Sequence, residues 1–191
     1  MTSPPSVPSG PPAPPGSLAA DILALVRDVP DFPTPGVIFK DITPLLADAE
    51  ALRRVVDGLA EPHREAKNAV DVVVGIEARG FILAAPVAVA LGVGFVPVRK
   101  IGKLPSTTVS ASYELEYGTA EVEVHEDGVR PGQRVLLVDD VLATGGTAAA
   151  ATELVRRLGG VMGGVSVLME LAFLAGRSRL PGLDVRSLVA V

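Results

Sequence analysis

Short apolar stretches separated by helix-length segments restrict the fold of this chain more than any other feature. VDVVVGI ending at Ile76, GFVPV at 94–98, RVLLV at 134–138 and the segment 161–169 are almost free of polar residues. A strand with one wet face alternates polar and apolar residues, so unbroken apolar strands must be covered on both faces. The intervening segments 80–91 and 145–158 have helical length and composition. Strands alternating with helices predict an α/β fold, a mostly parallel sheet with helices on both faces. At 191 residues without an internal repeat, the chain is sized for one domain.

The flanking segments read differently. MTSPPSVPSGPPAPPG, residues 1–16, is too rich in proline and too poor in apolar residues to bury a core. It is expected to be a disordered tail, with the folded domain at 17–191. Ser17 is placed to cap a helix carrying Leu18, Ile22, Leu25 and Val26. DVPDFPTPGVIFKDITP holds too many prolines for a helix and is expected to be loop. Asp48 opens a helix with Leu52, Val55, Val56 and Leu59 on one side. KIGKLPSTTVSASYELEYG, residues 100–118, has no clear period and reads as a long functional loop. TAEVEVHE alternates as a half-exposed strand, and GLDVRSLVAV ends in another. The uncharged run 80–98 has just the length to span a bilayer. Pro86, Gly92, Gly94 and Pro97 instead divide it into helix, turn and strand.

Composition narrows the chemistry. There is no cysteine, which excludes disulfides, thiolate metal sites and a cysteine nucleophile. His63 and His125 are the only histidines, too few for a histidine-rich metal site. A net charge of −5 argues against a nucleic-acid partner, which selects a basic face. With no secretory signal in view, a cytoplasmic protein is expected.

The informative stretch is RVLLVDDVLATGGTAAAATELV, 134–155. Ala143, Thr144, Gly145, Gly146 and Thr147 form a turn from strand to helix. The free amides at such a helix start, with its dipole, favour an anion. No lysine follows, so the triphosphate pattern G-x-x-x-x-G-K-[ST] is absent, and a terminal monoester phosphate suits the turn better. Asp139 and Asp140 cannot help to bind phosphate. They make sense as acceptors for the vicinal hydroxyls of a ribose whose 5-phosphate sits in the turn; the plain alternative is a cap or ion-pair role. A second strand-to-helix turn, Glu77-Ala78-Arg79-Gly80, adds a guanidinium that can fork a diphosphate. Arg99, Lys100 and Lys103 follow the next strand. One ligand fits both turns: a ribose with a phosphate at one end and a pyrophosphate at the other.

VLLVDDVLATGGT resembles the signature of the type I phosphoribosyltransferases. DFPTPGVIFKDITPLL, GIEARGF, VPVRKIGKLP and SASYELEYG resemble the adenine-specific family among them. The likeness runs from about residue 22 to the C-terminus. It implies a small N-terminal hood, a flexible lid at 103–118 and a homodimer. It also implies a reaction in which adenine and phosphoribosyl pyrophosphate give AMP and pyrophosphate. Magnesium would arrive with the pyrophosphate and not in a protein cage. By the same resemblance Asp139 and Asp140 contact the ribose diol, and 143–147 hold the 5-phosphate. Arg79, Arg99, Lys100 and Lys103 handle pyrophosphate, beside a cis peptide at Glu77–Ala78. Phe39 stacks on adenine with Leu171 opposite, Ile38 and Lys40 bring backbone groups to the base edge, and Glu116 gives a proton to adenine N7. Without the resemblance, Phe39 reads as a core aromatic and Glu116 as a solvated strand end. Two other readings remain: a non-catalytic regulator that keeps the phosphoribosyl site, and an enzyme for another 6-substituted purine such as hypoxanthine.

Overall fold

The computed structural model describes residues 16–115 and 118–191. Glu116 and the proline-rich segment up to residue 15 lie outside the described residues.

Helix α1 (Leu18–Leu25) starts where Ser17 accepts a hydrogen bond from the Ala20 amide at 3.2 Å. The proline-rich segment after it was expected to be loop, and here the structure differs. Strands β1 (Arg27–Pro30) and β2 (Ile38–Asp41) pair as an antiparallel ribbon, with Val29 opposite Phe39. Proline is tolerated because Pro30 ends its strand and Pro33 and Pro35 fall in the connecting turn. Asp31 stabilises that turn by accepting from the Gly36 amide at 2.7 Å. Helix α2 (Thr43–Ala47) has a proline in its first turn, and α3 (Ala49–Ala60) is capped by Asp48, which accepts from Ala51.

The remaining elements are β3 (Val72–Ile76), α4 (Arg79–Leu91), β4 (Gly94–Lys100), β5 (Thr108–Leu115), β6 (Gly118–His125), β7 (Arg134–Leu142), α5 (Gly146–Arg157), β8 (Val161–Glu170) and β9 (Val185–Ala190). Seven strands form one sheet in the order β5-β6-β4-β3-β7-β8-β9. The five from β4 to β9 in that order run parallel, and β6 and β5 join antiparallel at one edge. Alternation along β7 feeds two cores. Val135 and Leu137 pack with Ala151 and Leu154 of α5, while Leu136 and Val138 pack with Ile22, Val55 and Leu83 from α1, α3 and α4. Helices therefore cover both faces. The uncharged run 80–98 divides into α4, a left-handed Gly92 and β4. No described helix is long and apolar enough to cross a membrane.

A second difference lies in 100–118. Its second half is β5, paired with β6 from Thr108 opposite His125 to Leu115 opposite Gly118. The period was present but faint. Val109, Ala111 and Tyr113 face the α5 core, and the intervening Thr108, Ser110 and Ser112 are small and weakly polar. Among the described residues of this stretch, 101–107 is loop.

Candidate active site

The site lies at the carboxyl ends of β3, β4 and β7, where a parallel sheet leaves a crevice. Strand β7 continues through both aspartates to Leu142. Adjacent strand residues point in different directions. Asp140 is buried, and Arg79 Nε lies 2.7 Å from its Oδ2. The contact is off the N–H axis, so it is an ion pair and not an aligned hydrogen bond. Asp139 instead lines the concavity formed by Ala143, Thr144, Gly145, Gly146 and Thr147, a space of about 80 Å³. Its Oδ1 accepts the Asp140 amide at 2.9 Å. Burial, with the neighbouring Asp140 charge, pushes the Asp139 carboxyl well above the usual carboxylate range. A Cβ at Gly80 would stand 2.5 Å from Asp139 Oδ1, so the glycine that opens α4 makes room for this carboxylate.

The 143–147 turn is shaped by two glycines. Gly145 has φ 79°, a left-handed conformation suited to glycine. A Cβ there would meet the Gly176 carbonyl oxygen at 2.3 Å, and one on Gly176 would meet the Ala143 carbonyl at 2.2 Å. The loop after β8 thus lies directly against the turn. No side chain caps α5, which leaves its first amides for a ligand. Gly176 was not foreseen; a lone glycine far along the chain gives no sign of what it touches.

The β1–β2 ribbon meets the main sheet through Arg79. Its Cζ sits 4.6 Å from the Phe39 ring centroid, and its Nη1 donates to the Lys40 carbonyl at 3.2 Å. Phe39 is half-buried, with Phe32 edge-on at 5.1 Å between centroids. Ile38 is 52% exposed. The Lys40 ammonium turns away to Asp28 at 2.7 Å, leaving its backbone on the site side. Leu171 is half-buried, and its amide donates to the Leu142 carbonyl at 2.9 Å, tying it to the end of β7.

On the other side of Arg79, the Glu77–Ala78 peptide is cis. Glu77 accepts from Arg99 Nε and Nη2, both at 3.2 Å, and from the Lys100 amide at 3.0 Å. The Arg99 guanidinium holds the Glu77 carboxyl below its ordinary range. Arg99 also donates to the Lys103 carbonyl at 2.9 Å. Its guanidinium therefore braces the backbone, a place the spacing of charges did not suggest. Lys100 and Lys103 enter none of the ion pairs among the described residues. Glu123, read from sequence as part of a half-exposed strand, is only 3% exposed and grips the 103–104 backbone. Among the described residues no three His, Cys, Asp or Glu gather to hold a metal ion.

Comparison with known proteins fits this architecture. The Phosphoribosyl transferase domain matches residues 45–176. The adenine phosphoribosyltransferase of Thermobifida fusca is 61% identical over 166 residues, which is 87% of this chain and 93% of the relative. Among solved structures, the adenine phosphoribosyltransferase of Thermoanaerobacter pseudethanolicus superposes with a TM-score of 0.88 at 50% identity, covering 92% of this chain and 100% of that one. The Saccharomyces cerevisiae enzyme, solved with adenine and an imino-altritol bisphosphate, gives 0.83 at 40% identity, covering 90% and 98%. With this likeness over nearly its whole length, the chain belongs to the adenine phosphoribosyltransferase family.

Proposed function

We propose that this protein transfers the phosphoribosyl group of phosphoribosyl pyrophosphate to adenine, giving AMP and pyrophosphate in purine salvage. One juxtaposition carries the reading. Asp139 lines the same concavity as the 143–147 turn, and Asp140 next to it is paired to Arg79, which reaches the Phe39 ring. A phosphate site, a diol site and an aromatic platform thus follow one another in the order of a nucleotide's parts.

The amides and hydroxyls of 143–147 hold the 5-phosphate, and Asp139 and Asp140 accept the ribose hydroxyls. The bond from C1 to pyrophosphate breaks with its electron pair going to the leaving oxygen, and the ribose becomes oxocarbenium-like. Arg79, Lys100 and Lys103 stabilise the leaving charge. Arg99 acts here mainly by holding Glu77 and Lys103 in place. Adenine lies between Phe39 and Leu171, and the backbone of Ile38 and Lys40 meets its edge. Glu116 keeps the role of proton donor to N7 that the family resemblance implies.

Mg2+ accompanying phosphoribosyl pyrophosphate would neutralise diphosphate charge. Asp139 and Asp140 would accept hydrogen bonds from its water shell. The β5–β6 arm with the 101–107 connection serves as the lid, excluding water that would capture the cation. A homodimer and a cytoplasmic location belong to this reading. Helix α4 carries no charge after Arg79, and Ile82 and Val89 on it are 45% and 81% exposed, an apolar face a second copy would cover. Sedimentation of the full chain tests the dimer. Steady-state rates with adenine, hypoxanthine and guanine test the activity; a faster rate with either 6-oxopurine overturns the choice of base.

A further inference from the structure

Glu123 is a charged residue in a place that physical chemistry gives little reason to charge. Its β6 neighbours Val122 and Val124 are buried in the α5 core. Alternation turns Glu123 to the opposite face, where the 101–107 connection covers it. Buried carboxylates are costly unless fully hydrogen-bonded. This one is: Oε1 accepts the amides of Lys103 at 2.9 Å and Leu104 at 3.0 Å, and Oε2 accepts the Thr108 hydroxyl at 3.1 Å. Burial pushes its carboxyl up, but the Leu104 and Lys103 amides and the Thr108 hydroxyl outweigh that and hold it below the usual range.

The grip falls on one residue from two sides. Glu123 takes the amide of Lys103, and Arg99 donates to its carbonyl at 2.9 Å. Arg99 stands opposite Glu123 in the β4–β6 register and is itself held by Glu77. A chain of contacts therefore runs from the turn at Glu77 through Arg99 and the Lys103 backbone to Glu123. It fixes the root of the loop that carries Lys103, while the Lys103 side chain is exposed.

We infer that Glu123 is a positioning residue for the leaving group, holding the Lys103 backbone so that its ammonium is directed at the pyrophosphate end of phosphoribosyl pyrophosphate. This rests on the proposed role of Lys103 in binding pyrophosphate. Methionine at 123 has a similar length and offers no oxygen to the two amides, both of which meet Oε1, so the grip fails with little change of shape.

The test is steady-state kinetics of the full chain with Glu123→Met, Lys103→Ala and the double variant, alongside thermal denaturation. Glu123→Met should raise KM for phosphoribosyl pyrophosphate about 10-fold and leave KM for adenine within about 2-fold. Added to Lys103→Ala it should cost nothing further, because both remove one interaction. If Lys103→Ala is impaired but Glu123→Met matches wild type, or if their effects simply add, the positioning role falls and the pyrophosphate reading stands. Wild-type KM in Lys103→Ala removes Lys103 from the leaving group and this role of Glu123 with it. Should Glu123→Met fail to fold, Thr108→Val decides. It loosens only Oε2, and a selective rise in KM for phosphoribosyl pyrophosphate supports the role, while unchanged kinetics overturn it.

Discussion

Arg79 and Asp140 join the two halves of the site. Nε lies 2.7 Å from Oδ2, and the two side chains are 34% and 7% exposed. The same guanidinium rests over Phe39, so the arginine links the Asp140 carboxylate to the Phe39 ring. Removing one member of a buried pair strands the other charge. Arg79→Ala should destabilise the fold by about 1–3 kcal/mol, less than for a fully buried pair because the arginine is partly solvated. Arg79→Ala with Asp140→Asn should regain most of that stability and remain inactive. Denaturant unfolding of the three variants measures the cycle; a loss in the double variant equal to the sum of the two single losses would show that the pair carries no coupling.

Gly80→Ala separates stability from function. The residue is helical, where alanine is favoured over glycine by about 1 kcal/mol. The new Cβ would stand 2.5 Å from Asp139 Oδ1 and force the carboxylate aside. Expected are a melting temperature near that of wild type and a fall in kcat/KM of about 10²-fold. Unimpaired activity would mean that the carboxylate position does not matter to the reaction.

Asp139 links stability to pH. Its folded carboxyl is raised by burial and by Asp140, so the folded state holds its proton more tightly than the unfolded chain. The contribution to stability is fully present below the unfolded value, about 3.9, and is lost as pH rises through the folded value. At about pH 7.5 Asp139→Asn should therefore be more stable than wild type, with the difference shrinking at low pH. Its kcat/KM should fall about 10²-fold, since the diol loses a charged acceptor. Urea unfolding at several pH values checks the first claim, and a variant less stable than wild type at neutral pH would refute it.

Phe39 tests the base site. Stacking of a base on an aromatic ring is worth about 1–3 kcal/mol, or about 5- to 150-fold in affinity. Phe39→Ala should weaken adenine by that range and phosphoribosyl pyrophosphate much less. The ring sits in the small β1–β2 ribbon, against Phe32 and Arg79, outside both main cores, so the fold should persist. Calorimetric titration with each ligand distinguishes the cases: equal weakening of both would assign Phe39 to holding Arg79 and not to reading the base.

The parallel core, its helices and the 143–147 turn were legible in the sequence because each depends on short-range pattern. An unbroken apolar run means a strand covered on both faces, and a Gly-Gly pair between strand and helix means an open amide turn. The cap residues Ser17 and Asp48 were legible for the same reason. The β1–β2 ribbon was hidden by its prolines, which lie at the strand end and in the turn, where they cost no ladder bond. Strand β5 was hidden by serine and threonine, whose weak polarity blurs an alternation that pairing with β6 makes plain. Tertiary structure alone decided which charges meet. Arg99 lies 22 residues from Glu77 in sequence and Glu123 lies 20 from Lys103, yet each pair is in hydrogen-bond contact. Gly176 presses on Ala143 only because β8 returns beside β7. Such contacts depend on strand order and register, which are set by burial summed over the whole sheet, and no local window of residues contains that sum.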